Sequence, residues 1–301
     1  MQLHVLGSAA GGGVPQWNCG CSNCAAAREK RLPHRTQASL AASADGRSWV
    51  LFNATTDVRR QIEDDLALAP LGLRDSPIRA VFLTDANVDH CAGLLDFRQA
   101  GPLLVFSTGV VRDTLCKDAM FAPFSRAPRT WEAVDDRDVT VAGLRISPIR
   151  VPGLMPAFAG GRRIDNAVTA FAIEDGSGAK CVYAPIFLEV NEDLARAAGD
   201  ADAAFFDGSF WSDDELKTQG LGVRTAREMG HAPIAGQGGS LEALRALKCA
   251  RKYYTHVNNS NPALDPTSGA AADLRDAGIA IAQDGAVLTL GSRARQVSSG
   301  A

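Results

Sequence analysis

Short apolar runs, separated by polar stretches rich in glycine, proline and aspartate, set the rhythm of this chain. Residues 3–6, 38–42, 49–52, 80–83, 103–106, 139–141, 144–149, 167–173, 181–184, 203–206 and 253–256 have the length and side-chain content of strands. Residues 60–66 carry helical spacing behind Asp57, whose carboxylate can accept amide hydrogens of a first turn. Residues 91–97 read as the start of a helix directly after the strand at 80–83, and residues 241–247 read as another. Strands occur in both halves, helices are interspersed, and no linker composition breaks the pattern. The expectation is one α/β (α+β) domain over residues 1–301: two mixed sheets packed together with helices outside, an αββα sandwich. The small polar tail at 292–301 is expected to fray.

Composition narrows the classes of function. With 301 residues, 46% of them hydrophobic, the chain can bury a large core. A formal net charge of −3 offers no basic surface for nucleic acid or an acidic membrane. No apolar run approaches the ~18 residues of a bilayer span, so membrane insertion is not expected. Residues 1–7 read as a first strand and not as a basic-then-apolar leader, so the expected location is cytoplasmic. The seven cysteines are an odd number, and without a leader they are read as reduced thiols.

Three of those thiols carry candidate chemistry. Cys19, Cys21 and Cys24 form Cys-x-Cys-x-x-Cys, a spacing that lets three thiolates converge on one soft cation, with zinc favoured. A fourth ligand must come from elsewhere, and His34, Asn259 and a water are the candidates. A closed site of this kind is structural, and its place suggests a staple for residues 11–17. The five histidines divide by context. His4 lies inside a strand and reads as structural. His90 follows Asp89 at a strand-to-helix junction. His231 lies in a glycine-rich loop that exposes side chains, and His256 closes a strand before a polar loop, where sites on sheets are commonly built. Asp207, between aromatic residues and followed by Gly208, is either a turn residue or a carboxylate that orients His231.

Taken together, several segments resemble the coenzyme PQQ synthesis protein B family of the metallo-β-lactamase superfamily. They are Leu6-Gly7-Ser8-Ala9-Ala10-Gly11-Gly12-Gly13-Val14-Pro15-Gln16-Trp17-Asn18-Cys19, Arg35-Thr36-Gln37-Ala38-Ser39 and the loop from Thr84 to Gly93. Asp207-Gly208-Ser209-Phe210-Trp211, Met229-Gly230-His231 and His256-Val257-Asn258-Asn259-Ser260-Asn261-Pro262 complete the set. The superfamily loop runs His-x-His-x-Asp-His, but here Asp85 and Asn87 hold its first two histidine positions, while Asp89 and His90 remain. The resemblance implies that the first metal site is empty, since the later loop near residues 151–153 also lacks a histidine. Pro185 or a neighbour replaces the aspartate that would bridge two metals.

The resemblance implies that Asp89, His90 and His256 hold the remaining metal, Fe2+ or another divalent ion, since zinc suits the same ligands. Two histidines and a carboxylate with open positions suit non-haem iron and O2 better than di-zinc hydrolysis. The implied activity is hydroxylation of the tyrosine in a Glu-Tyr-derived precursor of pyrroloquinoline quinone (PQQ). Asp207 and His231 would handle protons or orient the substrate, and Asp85 would accept a phenol proton. A non-catalytic carrier of PQQ or its precursor is the alternative, and a homodimer is left open. Because such ligands carry several carboxylates, Arg162, Arg163, Lys217 and Arg227 are the candidate anion-binding residues.

Overall fold

Each apolar run must bury one face against a facing sheet and the other against covering helices, and the chain does both. The computed structural model describes residues 1–99 and 101–291. Strands β1 (Gln2–Gly7), β2 (Ser39–Ser43), β3 (Trp49–Phe52), β4 (Ile78–Phe82), β5 (Leu103–Ser107) and β6 (Arg129–Ala133) lie side by side in that order. A second sheet holds β7 (Val139–Val141), β8 (Leu144–Arg150), β9 (Thr169–Asp175), β10 (Lys180–Ala184), β11 (Ala203–Asp207), β12 (Arg251–Thr255) and β13 (Ile279–Ile281). The chain then returns, and β14 (Val287–Thr289) pairs antiparallel with β1 to complete the first sheet.

The two sheets share a plan. β3, β4, β5 and β6 run parallel in the first, as do β10, β11, β12 and β13 in the second. Parallel neighbours need crossover connections, and those connections supply the outer helices. Helices α1 (Ser22–Arg28), α2 (Val58–Asp64), α3 (Val88–Cys91) and α4 (Gly109–Leu115) come from the first half. The second half supplies α5 (Glu192–Gly199), α6 (Glu215–Thr218), α7 (Ser240–Arg245) and α8 (Gly269–Asp276).

Between the sheets, Phe52 and Phe82 pack on Phe171 at ring separations of 5.8 and 5.3 Å, and Phe52 also meets Tyr183. Val58, Leu94, Val111 and Leu115 cover the outer face of the first sheet. Leu194, Leu241, Leu244 and Leu274 cover the second. This is the expected αββα sandwich, with seven strands in each sheet among the described residues.

Several local expectations shift. α2 starts at Val58 and is followed by a 3-10 turn at Leu66–Leu68. Asp57 does not cap it through its side chain; that carboxylate accepts the Gln37 amide at 3.0 Å. The helix expected from residue 91 begins at Val88, so His90 lies inside α3, and Ala92–Gln99 tightens to 3-10 geometry. β12 ends at Thr255, and His256 leaves it at φ +57°. β6, β13 and β14 and helices α1, α4, α5, α6 and α8 were not expected. β6 buries only Trp131, and α5 and α8 each bury a single leucine among alanines. The tail expected to fray, 292–301, lies outside the described residues. No helix among the described residues is long and apolar enough to cross a membrane.

Candidate metal centre

The loop after β4 carries Thr84 and Asp85 straight into α3. Gly93 holds this unit against the sheet: a Cβ there would fall 1.9 Å from the Thr55 carbonyl oxygen, so only glycine permits the contact. Ala54 and the α3 region also exchange backbone hydrogen bonds, Ala54 N to His90 O and Gly93 N to Ala54 O. Asp89 and His90 are thereby fixed at the carboxyl end of β4, facing His256 at the carboxyl end of β12.

The ligand atoms of Asp89, His90 and His256 lie within 4.8 Å of one another. His256 Nε2 is 3.2 Å and His90 Nε2 is 3.8 Å from Asp89 Oδ2. Both histidines are buried, and the Asp89 side chain keeps 18% of its exposure, so the trio opens on the Asp89 side. His90 Nδ1 is engaged by Asp85 at 2.5 Å, whereas buried His90 Nε2 has no hydrogen-bond partner. A buried nitrogen without a partner is costly unless something else takes its lone pair.

The electrostatics agree. Burial opposes charge on Asp89, but His90 and His256 outweigh it and hold the carboxyl far below its usual range. Burial also opposes charge on His90, yet Asp85 and Asp89 push the imidazole up to about 9. Burial holds His256 below its ordinary value, in the neutral form a ligand needs. A buried excess of negative charge beside two imidazoles fits a divalent cation.

Asp85 and Asn87, the residues at the two positions expected to have lost histidine, are engaged with each other. Asp85 Oδ1 accepts both the Asn87 amide and the Asn87 Nδ2, each at 2.8 Å. Asp85 Oδ2 accepts the Thr84 hydroxyl at 2.7 Å and faces His90 Nδ1. Asp85 is fully buried, so the proton-acceptor role expected for it does not suit its position. Its contact with Nδ1 holds the His90 ring with Nε2 toward Asp89.

On the other flank, the Asp207 and His231 side chains pair, Nδ1 to Oδ2, at 2.8 Å. Asp207 is fully buried, and His231 holds its carboxyl below the usual range against the opposing effect of burial. The His231 ring lies nearly parallel to His256, with centroids 5.3 Å apart, and keeps 11% side-chain exposure. Ser209 also belongs to this group: its hydroxyl lies 2.6 Å from Asp207 Oδ1, 3.0 Å from His231 Nδ1 and 2.8 Å from His256 Nδ1. Sequence reasoning passed over Ser209. The signal was the Asp-x-Ser spacing, which lets an aspartate bond two residues ahead.

Cys19, Cys21 and Cys24 do converge, with sulfurs within 4.8 Å of one another. Asn259 Nδ2 reaches Cys19 Sγ at 3.1 Å and Cys21 Sγ at 3.4 Å, and the Gln16 amide reaches Cys24 Sγ at 3.3 Å. Burial resists a thiolate at Cys21, but the Cys24 amide and Asn259 lower its pKa overall; burial and the neighbouring sulfurs push Cys24 up to about 12. Of the fourth-ligand candidates, His34 faces away, with Nε2 3.0 Å from the Ala27 oxygen, while Asn259 faces the sulfurs. Arg28 clamps the Gln16 and Cys19 carbonyls, so the loop through residues 16–19 is held to α1.

The four expected anion-binding residues separate. Arg227 donates to the Leu188, Gln237 and Gly238 carbonyls, and Lys217 lies 3.9 Å from Glu228. Arg162 and Arg163 are exposed. Arg163 lines a cleft of about 350 Å³ with Arg150, Asn166 and Asn191. Arg163 also bridges to Leu154, which sits against Gly230 beside His231.

Comparison with known proteins agrees with this architecture. A family profile described as "Beta-lactamase superfamily domain" matches residues 48–257. Coenzyme PQQ synthesis protein B of Rhizobium meliloti is 43% identical over 87% of this chain and 89% of its own length. Its counterpart in Ruegeria pomeroyi is 39% identical over 96% of this chain and all of its own length. The crystal structure of Zn2+-bound PqqB from Methylobacterium extorquens superimposes with a TM-score of 0.91 at 36% identity, covering 96% of this chain and 100% of that one. The chain belongs to the coenzyme PQQ synthesis protein B family, within the beta-lactamase superfamily.

Proposed function

We propose that this member of the PQQ-synthesis family is a mononuclear non-haem iron oxygenase that hydroxylates the tyrosine ring of a Glu-Tyr-derived PQQ precursor. The observation that carries the reading is the trio Asp89, His90 and His256, open on one side, next to an Asp85–Asn87 pair that closes the place of a second cation. Two histidines and one carboxylate with open positions are the ligand pattern of ferrous oxygenases. Hydrolysis by a metal pair needs a second cation on the reacting group. When bound, iron would supply the one-electron chemistry that dioxygen needs.

The chain's own residues supply binding and proton handling. Asp207 holds a hydrogen on His231 Nδ1, which leaves Nε2 to exchange a proton with the phenol. Arg163, with Arg162 beside it, would take substrate carboxylates at the cleft it lines, while Arg227 and Lys217 are engaged elsewhere. The same proposal gives the Cys19–Cys21–Cys24 cluster a structural zinc, which braces the loop that follows His256 through Asn259.

Ring hydroxylation places one atom of O2 on carbon in place of hydrogen. The second atom leaves as water, which requires two electrons and two protons. The test is anaerobic reconstitution with Fe2+, addition of a Glu-Tyr-derived peptide and ascorbate, then 18O2. One labelled oxygen in the peptide, read by mass spectrometry, is the expected result. PQQ binding without O2 uptake or labelled product would replace the oxygenase with a carrier.

A further inference from the structure

Besides the metal trio, Asp207, His231 and His256 form a second group of ligand atoms within 4.8 Å of one another. The centre of that group is occupied. Ser209 Oγ lies within 3.0 Å of all three side chains, so a hydroxyl draws them together and no cation is needed. Gly208 permits this approach: a Cβ there would fall 2.7 Å from Tyr254 Cβ, so only a bare backbone brings the β11 end this close to β12.

The hydrogens in the group can be counted. The Asp207 oxygens face the Phe187 and Ser209 amides, the Ser209 hydroxyl and His231 Nδ1, the surroundings of a carboxylate that only accepts. The Ser209 hydroxyl donates to Asp207 Oδ1 at 2.6 Å, a shorter contact than its 3.0 Å approach to the His256 carbonyl oxygen. Its oxygen then accepts from nitrogen, at 2.8 Å from His256 Nδ1 and 3.0 Å from His231 Nδ1. The His231 hydrogen is shared with Asp207 Oδ2 at 2.8 Å. Both rings thus carry hydrogen on Nδ1. With its hydrogen on Nδ1, His256 has the Nε2 lone pair to give a cation at the place where Nε2 now lies at hydrogen-bond distance, 3.2 Å, from Asp89 Oδ2.

We infer that Ser209 is a positioning residue of the metal centre: its hydroxyl links His256 to Asp207 and fixes the His256 tautomer that presents Nε2 to a cation. One carboxylate then orients two histidines, His231 directly and His256 through Ser209. This inference rests on the metal trio of the proposed function but not on oxygen chemistry.

The test uses the full chain with Co2+ as the probe, read by chelator competition and by the Co2+ visible spectrum. Ser209→Ala should bind Co2+ at the active site about 10- to 100-fold more weakly, the usual loss when a partner behind a metal-bound histidine is removed. His256→Ala should lose binding altogether, and Ser209→Thr, which keeps the hydroxyl, should return affinity toward wild type. Wild-type affinity and spectrum in Ser209→Ala, with binding lost in His256→Ala, overturns the inference and leaves the trio standing. Wild-type affinity in both variants overturns the trio and the inference with it. A second measurement needs no variant: 15N–1H correlation of the histidine rings in the wild-type protein should show His256 protonated at Nδ1. Protonation at Nε2 alone would overturn the assignment.

Discussion

Asp85 Oδ2 stands 2.5 Å from His90 Nδ1, and neither side chain reaches solvent. That contact puts a buried carboxylate behind a ring that, under the proposed function, faces the metal. Asp85→Asn keeps the volume and removes the charge that holds a hydrogen on His90 Nδ1. Active-site metal affinity should fall by about 10- to 100-fold. Chelator competition at fixed pH measures it, and unchanged affinity would count against an orienting role.

His231 and His256 stack on each other but should respond differently to truncation. His256→Ala removes a ligand atom, so active-site metal and turnover should both be lost. His231→Ala leaves the trio intact, so metal should stay while turnover drops by about 10²- to 10⁴-fold, the range of a lost general acid or base. Metal analysis beside O2 uptake separates the two. Equal metal loss in both variants would make His231 a ligand.

Cys21→Ser removes one of three convergent sulfurs and the contact to Asn259. Metal content should drop by about one zinc per chain, with a lower thermal midpoint, because metal binding is coupled to folding. The loop bearing Asn259 also carries His256, so active-site affinity should weaken as well. Unaltered zinc content would refute the structural site.

Glu215 gives a pH dependence. Burial pushes its carboxyl up to about 7 from 4.5, despite hydrogen bonds from the Ser260 hydroxyl at 2.5 Å and the Trp211 amide at 2.6 Å. The folded chain therefore holds more protons than the unfolded chain between pH 4.5 and about 7. Its contribution to stability falls across that window as pH rises and is level above it. The total is on the order of 3 kcal/mol. Glu215→Gln should flatten this part of the profile, since an amide can accept from Trp211 and donate to Ser260. Urea unfolding of both proteins at pH 5 and pH 8 gives the comparison, and parallel profiles would rule out Glu215.

Much of the fold was legible because strand burial is a local property. Phe52, Phe82, Phe171 and Phe205 sit in apolar runs long enough to declare strands, and these residues form the buried layer between the sheets. Two edge strands of the first sheet were not legible: β6 buries only Trp131, and β14 only Leu288. α5 and α8 carry side-chain caps at Asn191 and Ser268, but each buries a single leucine, Leu194 or Leu274, among alanines. The Asp89, His90 and His256 candidates came from a motif and a resemblance, and the geometry brings them together.

Residue types and short spacings by themselves determined the apolar strands, the three clustered thiols and the loss of histidine at positions 85 and 87. Those properties belong to neighbours in the chain and need no partner from afar. Tertiary structure alone decided what Asp85 and Ser209 do. Asp85 lies on the loop after β4, and its role depends on which nitrogen of His90 it meets. Ser209 lies after β11, and its role depends on the close approach of β12, which brings His256 from 47 residues away. A hydrogen bond is made over about 3 Å, and its direction depends on where each donor and acceptor finally points. Sequence spacing carries neither quantity between distant segments; the packing of the two sheets supplies both.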